Sequence, residues 1–453
     1  MTNFPLLRVN AITALGGVFG LLALALPWLL FKPNRLVLGE AQGLLQLEPS
    51  WAFVLGFAWL IVLVLSFVRV PARGVPLTIA LAVVTTSSAF LIGTNTDALV
   101  REAGEIARVS LAGGVWLTLF ALYVAIFGSS LEWRFAWLGP ALAALVPIFS
   151  GTFFNLGPLV EFRGVQDQFG PQLLQHLALA ITSVVTASLI GFPLGLIAAR
   201  NEKLEGAVLG GAGLLQTIPS LALFGVLLPP LAWLGRTGKV GVVLGAISIL
   251  ALIGSSLLAI NRAHKSRALS LPAWTFVTLA GVLALTVLGV MLFSVLTGNS
   301  EAVLAWTRLE VTLDQTGIRG IGAAPALFAL TLYALLPIVV NTFVGLRNVP
   351  DGVIDAARGM GMNASQVFWR AQVPIALPFL FEGLRGALVL AFGIATVAAL
   401  IGGGGLGFFI LRGVEGNVPD LVLLGALPVT VIALLLDTLM RALSMALTPK
   451  GLR

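Results

Sequence analysis

Long apolar stretches separated by short polar connections run from one end of the chain to the other. They fall near residues 11–31, 51–68, 75–93, 110–128, 135–151, 176–196, 206–234, 240–260, 273–297, 322–341, 376–400 and 418–441, twelve in all. At about 1.5 Å of rise per residue, a helix over each run covers most or all of a hydrocarbon core about 30 Å thick. The runs are continuously apolar rather than alternating, so helices are predicted and not the strands of an outer-membrane barrel. The seventh run is long and interrupted, which leaves its boundaries open. The first contains Ala23-Leu24-Ala25, a small-x-small tripeptide of the kind signal peptidase cuts, but the apolar run continues past it. An uncleaved first helix is therefore expected. The fold class is all-α, a polytopic membrane helical bundle of about 12 transmembrane helices.

Composition supports lipid as the solvent for most of the chain. Hydrophobic residues make up 58% of the sequence and charged residues 10%, against about 25% charged in soluble domains. The net charge of +7 is scattered over short loops instead of gathered into a patch, which argues against nucleic acid as a partner. Basic residues that fix orientation in the bilayer account for it better. With the N-terminus placed in the cytoplasm, fifteen Lys and Arg fall inside, Arg8, Arg69, Lys265, Arg267, Lys450 and Arg453 among them. Ten fall outside, Arg35 among them, and Arg385 lies within a helix, which completes the 26. The excess inside predicts that both termini are cytoplasmic. The absence of cysteine excludes disulfides, thiol catalysis and Cys-based metal sites. His176 and His264 read as polar residues at span boundaries, not as metal ligands, so no metal or cofactor is expected.

One connection is longer than its neighbours. From Thr342 to Ile375 the chain is polar and weakly amphipathic, with Val353, Ile354, Ala357, Met360 and Met362 separated by Asp351, Asp355 and Arg358. The pattern predicts a short helix beside the membrane and a turn around Gly359 and Gly361. A unit of this kind can present a compact knob to a soluble partner. On the residues alone, a plain surface loop explains it equally well.

The run Asp355-Ala356-Ala357-Arg358-Gly359-Met360-Gly361-Met362, followed by Ala371-Gln372-Val373-Pro374, resembles the coupling loop of bacterial ABC importer permeases. The family pattern is Glu-Ala-Ala, three residues, Gly, nine residues, Ile-x-Leu-Pro. Asp355 stands at the Glu position, Ala356, Ala357, Gly361 and Pro374 match, and Ala371 and Val373 replace the Ile and Leu with spacing kept. The resemblance implies that Asp355, Ala356, Ala357, Gly359, Gly361 and Pro374 form the docking site for a separate ATPase subunit. It also implies two ATP-binding subunits, an extracytoplasmic solute-binding protein, and a second copy of this permease or a related one, all working across the lipid bilayer.

Two flanking segments resemble the glycine betaine, choline and carnitine branch of these permeases. The first is Gln216-Thr217-Ile218-Pro219-Ser220-Leu221, inside the seventh run. Pro219 removes a backbone N–H and breaks the helix, freeing a carbonyl for Gln216, Thr217 or Ser220 to satisfy. A packing kink and a lined pathway account for this equally on physics alone. The second is Leu400-Ile401-Gly402-Gly403-Gly404-Gly405-Leu406-Gly407. No Lys-Ser/Thr follows it, so a hinge or re-entrant turn is expected instead of a phosphate cradle. Leu335-Leu336-Pro337-Ile338 followed by Asn341-Thr342 is similar too. Gln216, Thr217, Pro219, Ser220 and Asn341 are the candidate pathway residues.

The resemblance implies a five-helix core over 176–196, 206–234, 322–341, 376–400 and 418–441. Residues 240–320 interrupt it as a two-helix insertion. The expected organisation is an N-terminal transmembrane extension over 1–151 and a permease domain over 152–453. The segment from Pro33 to Glu40 looks like the extension found in a longer variant of osmoprotectant permeases. Glu382 with Arg385, and Asp437 with Arg441, are spaced to pair along one helix face. Trp51, Trp133, Trp137, Trp233 and Trp306 fall near span ends, where interfacial anchoring is the default. The leading function is the permease subunit of an ATP-driven importer of an osmoprotectant-type solute, not itself an enzyme. A secondary transporter suits the broken helices, but acidic residues are not clustered at mid-membrane. A membrane-embedded enzyme lacks metal-ligand spacing and a nucleophile motif.

Overall fold

The structure, a computed structural model, describes residues 10–34, 37, 39–47, 49–68, 73–104, 106–264 and 270–448. Arg8, Arg35, Arg69, Lys265, Arg267, Lys450 and Arg453 of the orientation count lie outside the described residues, as do Leu36 and Leu38 of the Pro33–Glu40 segment. The chain forms two compact units, residues 1–165 with 416–424, and residues 166–415 with 425–453.

The first unit is built on α1 (Ala11–Ala23), α2 (Pro49–Phe67), α3 (Gly74–Ala103), α4 (Gly113–Ser130) and α5 (Leu138–Phe149). The expected helix over the whole of 11–31 does not form. Pro27 cannot donate to a helix and pushes the residue before it toward extended backbone, so α1 stops at Ala23. The chain continues as β1 (Leu29–Lys32), which pairs antiparallel with β2 (Glu40–Gln42) and with β3 (Arg108–Leu111). The Trp28 indole N–H donates to the Ala23 carbonyl at 3.0 Å and closes the end of α1.

Trp28, Trp59, Leu55, Leu77 and Leu81 are fully buried in the core of this unit. A methyl group at Gly16 would sit 2.8 Å from the Ala121 carbonyl oxygen. Bare backbone there lets α1 and α4 touch, as small residues do between membrane helices. Two buried carboxylates meet polar groups here: Arg108 Nε lies 3.2 Å from Glu161 Oε1, and the Ser110 hydroxyl donates to Asp420 Oδ2 at 2.6 Å, while Asp420 Oδ1 is buried without a hydrogen-bond partner. Burying such groups without partners is costly.

The second unit holds the rest of α6 (Gly157–Arg200), whose backbone leaves the helical region at Val165, and α7 (Glu202–Thr217), α8 (Ser220–Thr237), α9 (Val240–His264) and α10 (Ser270–Leu296). It continues through α11 (Ser300–Ala305), α12 (Ala323–Arg347), α13 (Asp351–Gly359), α14 (Ala364–Val367), α15 (Val373–Ile394), α16 (Gly407–Glu415) and the part of α17 (Pro419–Leu447) after Leu424. α12 is central, with Ala326, Ala329, Leu330 and Tyr333 buried. Gly191 and Gly195, four apart on α6, approach it so closely that a methyl at Gly195 would lie 2.8 Å from the Val339 carbonyl. From the other side a methyl at Gly383 of α15 would lie 2.9 Å from the Pro337 carbonyl. The helices α9 and α10 pack on each other, and Lys239, between α8 and α9, pairs with Glu310 at 2.8 Å. Trp306 is buried among Leu231, Val290 and Leu313.

Among the described residues, ten helices are long and apolar enough to cross a membrane. The expected number was about twelve. α1 and α5 are apolar but shorter, at 13 and 12 residues. The 206–234 run is two helices, of which α8 alone qualifies.

Candidate functional site

The polar connection after α12 is shorter than the expected Thr342–Ile375, because α12 runs on to Arg347 and α15 starts at Val373; within it the short helix and the turn form, and the turn has a specific cause. α13 begins at Asp351 after Pro350 and ends in a left-handed glycine, Gly361, with φ of 82°. The Met362 N–H donates to the Ala357 carbonyl at 3.2 Å and the Gly361 N–H to the Arg358 carbonyl at 2.9 Å. These two bonds are the Schellman closure of a helix, which needs the left-handed conformation that glycine adopts without penalty. The chain then restarts at Asn363, whose side chain and that of Gln366 cap each other's backbone N–H groups at 2.9 Å. A π-helical turn over Phe368–Gln372 carries it without a gap into α15.

Burial divides this hairpin into a root and a face. Ala357 is 2% exposed and Val349 and Val367 are buried, while Asp355, Ala356, Arg358, Gly359 and Gly361 are exposed. Met360 and Trp369 are 71% and 65% exposed, unusual for large apolar side chains on a polar loop. Asp355 and Arg358 make a loose pair at 3.7 Å that leaves both charges on the surface. Pro374 is half-buried in the first turn of α15. The Arg200 guanidinium, at the end of α6, lies 4.8 Å from the centre of the Phe368 ring and ties that helix to the base of the hairpin.

The break in the seventh apolar run lies at Ile218–Pro219. Ile218 is extended (φ −73°, ψ 124°), as a residue before proline prefers, and Pro219 opens α8. The Thr217 hydroxyl donates to the Leu214 carbonyl at 2.7 Å within its own helix, and Ser220 is the first residue of α8. Gln216 instead reaches across to α12, where its Nε2 donates to the Tyr333 carbonyl at 3.0 Å. That carbonyl would normally accept from residue 337, but Pro337 has no N–H to give. The Tyr333 hydroxyl donates back to the Ile218 carbonyl. Tyr333 and Gln216 therefore clasp the α7–α8 break to α12 at the carbonyl that Pro337 leaves without a donor. Asn341, half-buried one turn past Pro337, donates to the Pro337 carbonyl at 2.8 Å.

Gly402, Gly403, Gly404, Gly405 and Gly407 form a packed turn. Gly402, Gly404 and Gly405 have φ of 76°, 67° and 84°. The Gln175 amide donates to the Gly403 carbonyl at 2.9 Å, and the Gly405 N–H donates to Gln172 Oε1 at 2.7 Å. His176 is fully buried, its Nε2 donating to the Phe392 carbonyl at 3.1 Å. The Gly322 N–H, just before α12, donates to the Ile401 carbonyl at 2.8 Å. The candidate residues thus form three clusters strung along α12, with the glycine turn at its start, the Gln216–Tyr333 clasp at its middle and the hairpin after its end.

Sequence reading missed Tyr333, Gln172 and Gln175. A signal for Tyr333 was present, since it precedes Pro337 by the four residues of one helical hydrogen bond. The pairs Glu382–Arg385 and Asp437–Arg441 form at 2.7 Å and 2.9 Å. Arg385 also bonds Asp437 at 2.6 Å, joining the pairs into one chain across α15 and α17.

A family model described as binding-protein-dependent transport system inner membrane component matches residues 191–449. A second, described as the N-terminal domain of the ABC transporter permease YehY, matches residues 8–157. The chain is 32% identical over 279 residues to the osmoprotectant import permease protein OsmW of Salmonella typhimurium, covering 62% of this chain and 91% of that relative. It is 28% identical over 282 residues to the carnitine transport permease protein OpuCB of Listeria monocytogenes, covering 62% and 89%. A solved inward-facing structure of the MetNI methionine ABC transporter aligns over 63% of this chain and 99% of its own, with 18% identity and a TM-score of 0.41.

Proposed function

We propose that this chain, which belongs to the family of binding-protein-dependent transport system inner membrane components, carries an osmoprotectant-type solute inward. Glycine betaine, choline and related quaternary amines are the substrate class, on the strength of the relatives' names. As a permease subunit of an ABC importer it works with ATP-binding subunits and a solute-binding protein. The assembly we favour has two ATP-binding subunits and two permeases, either two copies of this chain or this chain with a related one. Both termini and the 348–374 hairpin then lie in the cytoplasm.

The observation that carries the mechanical part is the exposed face of the hairpin. Asp355, Ala356, Gly359, Met360 and Gly361 stand out from a root fixed by Ala357. Such a face is a shape for a cleft on an ATPase subunit to grip. Displacement of the hairpin is passed to α15 through the unbroken π-helical turn and Pro374, and to α6 through Arg200 on Phe368. α15 in turn abuts α12 through Gly383. Tightly packed helices move as bodies and not by bending. Movement of α12 therefore reaches the Gln216–Tyr333 clasp beside the broken α7–α8 connection, where Gln216, Thr217, Pro219, Ser220 and Asn341 border the path. The N-terminal five helices are a separate extension of this core, and residues 240–320 are an insertion within it.

Reconstitution with the ATPase subunit and binding protein in vesicles tests the reading. Choline or betaine uptake is expected only with ATP supplied on the hairpin side. Uptake that persists without ATP and follows a sodium or proton gradient would overturn it.

A further inference from the structure

The inserted helices leave a cavity of about 490 Å³ between themselves and the permease core, enclosed by α6, α8, α9, α10 and α12. Its walls are apolar, with Leu231, Val287 and Phe328 among them. Of the threonines in the lining, Thr286 turns its hydroxyl to its own helix at the Val282 carbonyl, 2.8 Å away, while the Thr182 hydroxyl is buried without a hydrogen-bond partner, one polar atom in the wall. Water needs two to four polar partners and does not settle in such a space. An apolar space left unfilled costs the folded state in proportion to its volume. This one is about three times the size of the engineered cavity that stays dry and takes up benzene. A quaternary amine is a poor occupant, because no carboxylate lines the cavity and Phe328 is the single aromatic ring in its wall, short of a cage.

The rim identifies a better one. Val242 of α9 and Val282 of α10 line the cavity and are also 66% and 37% exposed on the surface of two membrane-spanning helices. On those helices the outer medium is lipid. The cavity is thus continuous with the hydrocarbon of the bilayer. We propose that it is a lipid site, filled by an acyl chain of a membrane phospholipid that enters beside Val242 and Val282 and fastens the inserted α9–α10 pair to the core. The site is separate from the solute path and does not depend on the identity of the solute.

Native mass spectrometry of the purified full chain, released from nanodiscs of mixed phospholipid into a delipidating detergent, tests the proposal. Wild type is expected to keep one phospholipid per chain. Ala246→Phe, which projects a ring into the cavity, and Val242→Phe, at its exposed rim, are expected to lose that mass. Ile249→Phe, on the same helix but outside the lining, keeps it. The rim variant carries the test if Ala246→Phe does not fold. The proposal is overturned if wild type holds no lipid, if Val242→Phe and Ile249→Phe retain it equally, or if excess choline displaces it.

Discussion

Gly359→Ala and Gly361→Ala each add one methyl group, two residues apart, and are predicted to act in opposite directions. At either position the added carbon meets nothing within 4 Å, so packing does not contribute and backbone preference decides. Gly361 sits at φ of 82°, where an L-residue costs about 1–2 kcal/mol. Gly359 is the last helical residue of α13, so replacing glycine by alanine gains at most the roughly 0.5–1 kcal/mol of a mid-helix site. The hairpin is small and largely exposed, so its margin against local opening is of the same order. A loss of 1–2 kcal/mol lowers the docked population by about five- to thirtyfold. The assay is titration of the purified ATPase subunit against the permease in nanodiscs. Gly361→Ala should weaken association by up to about that factor, while Gly359→Ala should leave it unchanged or tighter. Gly361→Asn should fall between wild type and Gly361→Ala, since asparagine tolerates the left-handed region. If Gly361→Ala binds as wild type does, or Gly359→Ala is the weaker of the two, the closure of the helix is not what holds the docking face.

Three further outcomes follow from the packing around α12. Gln216→Leu leaves the Tyr333 carbonyl without its donor and should cost about 1–3 kcal/mol in thermal melts; in a Pro337→Ala background the restored N–H serves that carbonyl, and the cost should fall below about 1 kcal/mol. Gly407→Ala places a methyl 1.9 Å from the Thr396 carbonyl, so gel filtration should show little folded protein. Arg385→Met removes the link between α15 and α17 and should lower the melting point more than Glu382→Gln, whose exposed pair is worth about 0–1 kcal/mol.

The spanning helices were legible because lipid imposes one pattern, a long apolar run, on every one of them. The short sheet was not. Leu29–Lys32 is apolar enough to extend the first run, and its partner strand Arg108–Leu111 lies far along the chain. No local periodicity reports such a pairing. The hairpin was legible because capping and turn chemistry are local: Gly361, Asn363 and Pro374 act on their immediate neighbours. The clasp was half legible. Pro219 announces a break and Pro337 a missing hydrogen bond inside α12, but only packing shows that Gln216 and Tyr333 serve each other's backbone. His176 reads as a polar residue at the edge of an apolar run, and nothing local marks Glu161 or Asp420; the burial of all three depends on Phe392, Arg108 and Ser110 from distant segments.

The central claim is that an ATP-hydrolysing partner moves the pore by gripping the 348–374 hairpin. The sequence has no cysteine, so Ala356→Cys places a single thiol on the exposed face without background. Cross-linking this thiol in the assembled transporter is the most direct measurement. The account predicts a bond to the ATPase subunit, with yield changing between the nucleotide-free and ATP-bound states, and labelling by impermeant reagents from the cytoplasmic side alone. Labelling from the outer side, or a thiol that never reaches the ATPase subunit in either state, would contradict it.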